Sequence, residues 1–85
     1  MSCSVFILRR AQSELAALPL ETYEKLKSAI SALSETPRPR GCKKLIGRDG
    51  WRFRVGNYRV IYEIDDALQN VTVLHVGHRR DIYRK

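Results

Sequence analysis

Apolar residues recur at helical spacing in two stretches of the first half of the chain. The first stretch follows a short β-compatible run from Ser4 to Leu8 and ends at Pro19, and the second ends at the Thr36-Pro37-Arg38-Pro39 sequence. The repeating positions are Leu8, Ala11, Leu15 and Leu18 in the first stretch, and Tyr23, Leu26, Ile30 and Leu33 in the second. The pattern predicts a strand and then two amphipathic helices, which the short link at Pro19 folds into an antiparallel hairpin.

The second half of the chain changes to the alternating pattern of β-strands. Residues 51–55 and 58–64 alternate in polarity and are separated only by Gly56-Asn57, which is typical of a β-hairpin with a two-residue turn. The cross-strand pairs set by such a turn are Val55 with Tyr58, Phe53 with Val60, and Trp51 with Tyr62. All the large apolar side chains of the hairpin therefore share one face, which we expect to pack against the helices.

The segments around this hairpin complete the predicted fold. Residues 37–50 hold two prolines and three glycines among basic residues and are predicted to be a connector, with room for a short strand near Leu45. Residues 71–76 are nearly all apolar, which predicts a strand covered on both faces. The expected fold is α+β: an N-terminal strand, a two-helix hairpin and a meander of three antiparallel strands in one twisted sheet, with the helices on one face. At 85 residues, the chain is expected to form a single domain, residues 1–85.

The other face of the predicted hairpin carries arginines in register. Arg54 lies directly across from Arg59, and Arg52 lies across from Ile61. Like charges that face each other across a sheet destabilise it, so such a cluster is typical of a site that binds an anion. Arginine stays charged at any working pH and can hold a phosphate with two hydrogen bonds. The face therefore predicts a nucleic-acid backbone as its ligand.

The net charge of the chain supports this interpretation. Residues 37–85 carry twelve basic and five acidic residues, which accounts for the whole excess of +7, whereas residues 1–36 are balanced. No apolar run is long enough to span a membrane, and the start of the chain does not resemble a secretory signal, so we expect a cytoplasmic protein without a membrane partner. Cys3 and Cys42 are far apart and are interpreted as free thiols, with a single disulfide as the alternative. With only His75 and His78 as further soft ligands, we expect no metal site and no cofactor.

The order and spacing of these motifs resemble the RelE/ParE toxin superfamily over essentially the whole chain. The motifs are the basic Lys-Lys-Leu-Ile-Gly connector, Trp-Arg-Phe-Arg-Val, Tyr-Arg-Val-Ile-Tyr-Glu-Ile, and Val-Gly-His-Arg-Arg-Asp-Ile-Tyr-Arg. The resemblance to the RelE-like branch implies a toxin of a type II toxin-antitoxin system that cleaves messenger RNA in the ribosomal A site and inhibits translation. It also implies three partners, namely a cognate antitoxin in a hetero-oligomer, the ribosome with its RNA, and messenger RNA.

The resemblance assigns roles to particular residues. The positions that act on the scissile phosphate in RelE-like enzymes match Arg52, Arg54, Arg59, Arg79 and Tyr83. The first two are lysines in some relatives, and arginine keeps the charge but is a poor proton acceptor. In the implied reaction, the ribose 2′-hydroxyl attacks the adjacent phosphate without a metal ion and leaves a 2′,3′-cyclic phosphate. The further basic residues expected to bind RNA backbone are Lys43, Lys44, Arg48, Arg80, Arg84 and Lys85.

Several alternatives stay open at the level of sequence. His78 has the most suitable intrinsic chemistry for proton transfer, but we interpret it as an ordinary loop residue and leave it out of the catalytic set. Glu63 is either a base or an ion-pair partner of Arg52, and His75 is interpreted as a packed or hydrogen-bonded core residue. Two other functions fit the same fold: a ParE-like toxin that inhibits DNA gyrase by binding it, and a noncatalytic nucleic-acid-binding module.

Overall fold

The computed structural model describes residues 2–47 and 49–78 of the chain. The elements in chain order are β1 (Ser4–Ile7), α1 (Arg9–Ala16), α2 (Leu20–Ser31), a 3-10 helix (Ala32–Ser34), β2 (Lys43–Lys44), β3 (Trp51–Val55), β4 (Tyr58–Asp65) and β5 (Asn70–His78). The predicted strands and helices are confirmed in type and order. None of the helices in this part of the chain is long and apolar enough to cross a membrane.

The ends of the helices differ slightly from the prediction. Leu8 was expected in the buried stripe, but it precedes α1 in extended backbone and its side chain is exposed. The helix ends at Ala16, two residues before Leu18, whose backbone N–H donates instead to the carbonyl of Leu15. Pro19 explains this end, because a proline disfavours helical backbone in the residue before it.

Within the described residues, the five strands form one sheet in the order β1-β5-β4-β3-β2. The meander of β3, β4 and β5 is antiparallel, as predicted, and β1 lies parallel to β5 at one edge of the sheet. The two-residue strand β2 pairs antiparallel with β3 at the other edge, which confirms the short strand expected near Leu45. The sheet is therefore mixed, with a single parallel pair.

The helices cover one face of this sheet and form the core with it. The buried side chains of the helical segment are Ala11, Leu15, Leu26, Ile30 and Leu33, and those of the sheet are Phe53, Val60, Tyr62, Val71, Val73 and Val76. Trp51, Val55 and Tyr58 are partly buried against the same cluster. The predicted apolar face of the hairpin is therefore confirmed. Burial of these large side chains supplies most of the driving force for folding.

A β-bulge, rather than cover on both faces, explains why apolar residues follow one another without alternation in β5. Tyr62 pairs with Val73, whereas its neighbour Ile61 pairs with His75, so Leu74 is an extra residue in the ladder. This bulge shifts the alternation and brings Val76 back to the core face. Thr72, Leu74 and His75 are only partly buried. The prediction that the strand is covered on both faces is therefore wrong for the middle of β5.

Candidate nucleic-acid interface

The β3-β4 hairpin has the predicted register and turn. Arg54 pairs with Arg59, and Arg52 pairs with Ile61. Gly56 adopts a φ of 60°, in the left-handed region that favours glycine at the first central position of a two-residue hairpin turn. Because paired residues on neighbouring strands project to the same side, the three arginines share the sheet face opposite the helices.

The structure adds a fourth basic residue to this face. Lys43 of β2 pairs with Arg52, so its side chain projects to the same side of the sheet as the arginines. The connector gives no alternating pattern from which this pairing could be predicted. The loop between β2 and β3 determines this pairing, because the backbone N–H of Leu45 donates to the carbonyl of Gly50 at 3.0 Å. Gly50 has a φ of 132°, and a side chain at this position would crowd Leu45. We call Lys43, Arg52, Arg54 and Arg59 the basic face.

The neighbouring residue Lys44 is not part of the basic face. Lys44 pairs with Trp51, and its Nζ lies 5.8 Å from the centre of the Trp51 ring, on the other side of β2 from Lys43. The guanidinium of Arg38 lies over the same ring at 5.0 Å. Lys43 and Lys44 were predicted as one group of RNA-binding residues, but strand parity separates them.

The arginines of the basic face differ in exposure. Arg54 is exposed and Arg52 is partly buried, whereas Arg59 retains only 4% of its accessible surface. An arginine that is buried in a sheet needs partners within the protein, because the loss of hydration is costly for a charged group. Arg54 is therefore the arginine of the hairpin that is best placed to meet a phosphate from solution.

The two histidines of β5 project to opposite sides of the sheet. His78 pairs with Tyr58, and their rings meet edge to face at 5.6 Å. Tyr58 belongs to the row that packs toward the helices, so strand parity puts His78 on that side. Nδ1 of His75 lies 2.6 Å from a carboxylate oxygen of Glu14 in α1. His75 pairs with Ile61, the partner of Arg52, so parity puts it on the side of the basic face, at the edge of the sheet beside Glu14. Its partly buried position agrees with the interpretation of a packed residue.

The end of the sheet beyond Ile61 is acidic. Glu63 pairs with Thr72, two positions along β4 from the partner of Arg52, and no ion pair joins Glu63 to Arg52 in the described part of the chain. An open cleft of about 520 Å³ lies there, and its charged lining residues are Arg38, Lys44, Asp49, Glu63, Asp65 and Asp66. Acidic residues outnumber basic ones in this lining, so the electrostatic potential at this end is less favourable to an anion than that of the basic face.

A bidentate ion pair closes one wall of that cleft. Arg38 donates to both carboxylate oxygens of Asp66, at 3.1 and 2.9 Å. These hydrogen bonds lower the pKa of Asp66 and raise that of Arg38. Both groups therefore stay charged, and Arg38 is engaged within the protein rather than available to a ligand.

The other predicted site residues fall in the parts of the chain that the structure does not describe. Arg48, Arg79, Arg80, Tyr83, Arg84 and Lys85 lie outside the described residues. Of the eleven predicted site residues, the structure brings together Lys43, Arg52, Arg54 and Arg59 and separates Lys44 from them. In the described part of the chain, no three His, Cys, Asp or Glu side chains are grouped so as to hold a metal ion.

This fold, with its helices on one sheet face, is that of a class of small toxins. The crystal structure of the RelBE2 toxin-antitoxin complex from Mycobacterium tuberculosis is 29% identical, with a TM-score of 0.83 over 93% of this chain and 100% of that one. The archaeal RelE-RelB complex from Pyrococcus horikoshii OT3 is 28% identical, with a TM-score of 0.84 and full coverage of both chains. A mutant E. coli toxin RelE in the free state is 27% identical, with a TM-score of 0.78 over 95% of this chain and 87% of that one.

The sequence comparisons assign the family. The chain matches the family described as ParE toxin of type II toxin-antitoxin system, parDE, over residues 5–83. The protein belongs to this family of toxins, within the RelE/ParE superfamily. A relative named Toxin RelG, from Mycobacterium tuberculosis, is 53% identical over 32 residues, which span 38% of this chain and 37% of that protein.

Proposed function

We propose that this toxin is a ribosome-dependent endoribonuclease that cleaves messenger RNA in the ribosomal A site and so inhibits translation. The observation that carries the proposal is the pairing of Arg54 with Arg59 and of Lys43 with Arg52, which gathers four cations on one sheet face. A sheet that bound nothing would be more stable without two facing arginines, by about 0.2–1 kcal/mol. The similarity to RelE toxins favours RNA as the anion.

In the proposed reaction, the substrate supplies its own nucleophile. The ribose 2′-hydroxyl attacks the adjacent phosphorus, the bond to the 5′-oxygen breaks, and the products are a 2′,3′-cyclic phosphate and a 5′-hydroxyl. Arg54 holds the phosphate from the open side of the sheet, and Arg52 adds charge beside it. Preorganised cations of this kind stabilise the charge that develops on the phosphate. Arg79 and Tyr83 keep the roles on the scissile phosphate that the resemblance implies.

Arg59 has a less direct role in this proposal. Its burial requires that the groups around it move before it can touch a phosphate. Its charge nevertheless lies directly across from Arg54 in the sheet and adds to the positive potential at that point. Arg59 therefore supports the site electrostatically, while Arg54 makes the contact.

The need for the ribosome follows from the scarcity of acid-base groups on the basic face. In-line attack requires the 2′-oxygen, the phosphorus and the 5′-oxygen to be aligned, and orientation of this kind accounts for a large part of many rate enhancements. A face of cations holds an RNA backbone but does not bend it into that geometry. The ribosome supplies the alignment in our proposal, which implies that the toxin acts in the cytoplasm.

A cognate antitoxin is the second proposed partner. Two of the similar structures are complexes of a RelE toxin with its RelB antitoxin, and a third is the RelBE2 complex. An antitoxin that neutralises the toxin by covering the basic face needs acidic or polar side chains to match it. If Arg54 stayed fully accessible in the purified complex, direct masking of this face would be wrong.

Inhibition of DNA gyrase is the second candidate function, and the description of the matched family as ParE toxin favours it. This function uses the same fold as a binding surface and needs no proton transfer. It predicts that the toxin slows supercoiling by purified gyrase and leaves messenger RNA on ribosomes intact. An endoribonuclease should instead leave supercoiling by gyrase unchanged and cleave messenger RNA on ribosomes.

One experiment separates the two functions. The toxin is added to ribosomes programmed with a defined messenger RNA, and new 5′ ends are mapped by primer extension. We expect cleavage in the A-site codon by the unchanged protein and strong loss of cleavage with Arg54→Ala. Arg9→Ala, which removes an exposed arginine of α1 away from the basic face, is the matched control and should cleave normally. Absence of new ends with the unchanged protein would refute the endoribonuclease.

A further inference from the structure

The three arginines of the basic face are poor proton donors for the proposed reaction. A departing 5′-oxygen needs a proton as its bond to phosphorus breaks, and a guanidinium is too weak an acid to supply one readily. His78 projects to the helix side of the sheet with Tyr58. His75 lies two strands away from Arg52, at the edge of the sheet, with its Nδ1 2.6 Å from Glu14. Glu63 lies at the acidic end, where the electrostatic potential is less favourable to an anion. Among the residues that the structure describes, Lys43, the remaining cation of the basic face, is therefore the best candidate for the acid.

Lys43 is the one lysine of the basic face. It pairs with Arg52 on β3, and its side chain is exposed. Lysine differs from arginine in that its ammonium can give up a proton and take one back, which is why lysines serve as acids and bases in enzymes. The edge strand β2 thus brings a group that transfers protons into a row of groups that do not.

The distances allow Lys43 to reach a phosphate held by Arg54. Paired residues on neighbouring antiparallel strands have Cα atoms about 4.5–5.5 Å apart. Arg52 and Arg54 are two residues apart on one strand, which is about 6.8 Å. A lysine side chain carries its charge at the end of a flexible four-carbon stem and can cross that diagonal. A phosphate between Arg52 and Arg54 is therefore within reach of the Lys43 ammonium.

We propose that Lys43 is a catalytic residue, the general acid that protonates the leaving 5′-oxygen. This inference rests on the proposed endoribonuclease function. The 2′-hydroxyl loses its proton to water as the bond from the 2′-oxygen to phosphorus forms. The bond from phosphorus to the 5′-oxygen breaks with both electrons, and the Lys43 ammonium gives its proton to that oxygen. The neutral amine then regains a proton from water, so that the protein is unchanged at the end.

The test is a substitution that keeps the charge and removes the acid. Lys43→Arg should still bind programmed ribosomes, but its single-turnover cleavage should fall by about 100-fold, the lower range for loss of a general acid. Lys25→Arg, on the exposed face of α2, is the matched control and should cleave at the normal rate. Because Lys43 is exposed on an edge strand, the change to arginine should not disturb folding.

A second substrate separates proton donation from a structural role. In a messenger RNA with sulfur in place of the 5′-bridging oxygen at the cleavage site, the leaving group is a thiolate, which departs without a proton because thiols are far more acidic than alcohols. On this substrate Lys43→Arg should cleave as fast as the unchanged protein. A defect that persisted on the sulfur substrate would overturn the assignment of Lys43 as the acid.

The two proposals fail in different ways. If the unchanged toxin cleaves the normal messenger RNA and Lys43→Arg cleaves it equally fast, Lys43 is not catalytic and the endoribonuclease stands. If the unchanged toxin cleaves neither substrate, the endoribonuclease falls and the assignment of Lys43 falls with it. If Lys43→Arg cleaves the normal messenger RNA slowly and the sulfur substrate at the normal rate, both the endoribonuclease and the assignment of Lys43 are supported.

Discussion

The carboxylate of Glu14 in α1 accepts a hydrogen bond from the backbone N–H of Val76 in β5, at 2.7 Å. The parallel partner β1 ends at Ile7, opposite Val73, so this bond continues the edge of β5 where the strand ladder stops. The other oxygen of Glu14 lies 2.6 Å from Nδ1 of His75 and 3.3 Å from Nε of Arg10. A helical side chain thus holds the strand that leads to His78.

We expect Glu14→Ala to lower the free energy of unfolding by about 1–3 kcal/mol, because a partly buried backbone donor loses its acceptor. Glu14→Gln keeps one acceptor oxygen and should cost less. Urea denaturation followed by circular dichroism measures both. Arg10→Ala is the control. It removes only the ion pair between Arg10 and Glu14, one helical turn apart, and a pair of this kind is worth about 0.3–0.5 kcal/mol. Equal losses for Glu14→Ala and Arg10→Ala would contradict a structural role for the bond to Val76.

The facing arginines predict a trade-off between stability and activity. Arg54→Gln removes the repulsion from Arg59 and should raise the free energy of unfolding by about 0.2–1 kcal/mol. The same change should lower messenger-RNA cleavage by about 100-fold, because a cation that stabilises the transition state is lost. The gain in stability should be smaller in 1 M salt, where the Debye length falls to about 3 Å, although the burial of Arg59 limits the screening.

Arg9→Gln is the matched control for this trade-off. Arg9 is exposed at the start of α1 and is far in sequence from the hairpin, so its removal should change the unfolding free energy by less than about 0.5 kcal/mol. Cleavage should also be unchanged. If Arg54→Gln were as active as Arg9→Gln, the basic face would not be the site of catalysis.

The register of the hairpin could be predicted from the sequence because local features determine it. A two-residue turn at Gly56 leaves one way to pair the strands, and only that pairing puts Trp51, Phe53 and Tyr62 on a common face. The two amphipathic helices were predictable for the same reason, since the spacing of their apolar residues is local. The opposition of Arg54 and Arg59 then follows from parity alone.

The rest of the site depends on contacts between distant segments. A strand of two residues has no alternation to recognise, so the pairing of Lys43 with Arg52 is absent from the local pattern. The bulge at Leu74 changes the parity of β5 midway, and the apolar run of that strand conceals it. The burial of Arg59 likewise depends on tertiary packing, whereas alternation alone predicts an exposed side chain.

The buried tyrosine of β4 gives a prediction about pH. The hydroxyl of Tyr62 donates to the carbonyl of Pro37 at 2.8 Å, and burial, together with the nearby Cys42 thiol, raises the pKa of Tyr62 well above its ordinary value. The unfolded chain gives up this proton near pH 10, whereas the folded protein retains it. The contribution of Tyr62 to stability is therefore complete below pH 10 and declines above it, by at most about 1.4 kcal/mol per pH unit.

Tyr62→Phe isolates this effect, because all other titrating groups are shared with the unchanged protein. At pH 7 the variant should be less stable by about 1 kcal/mol, the usual value of one hydrogen bond. Between pH 10 and 11 the difference should shrink and then reverse, since phenylalanine does not titrate. Urea denaturation across this range measures it. Parallel stability curves for the two proteins would contradict a raised pKa for Tyr62.

The salt dependence of RNA binding measures how many charges of the basic face touch the backbone. For single-stranded RNA, each neutralised phosphate contributes about 0.7 to the slope of log affinity against log salt. Arg54 is exposed on the basic face, so Arg54→Ala should reduce the magnitude of the slope by about this amount, as measured by fluorescence anisotropy with a short oligonucleotide. Arg9→Ala should leave the slope unchanged. Equal slopes for Arg54→Ala and the unchanged protein would mean that Arg54 makes no phosphate contact, and the proposed mode of RNA binding would then be wrong.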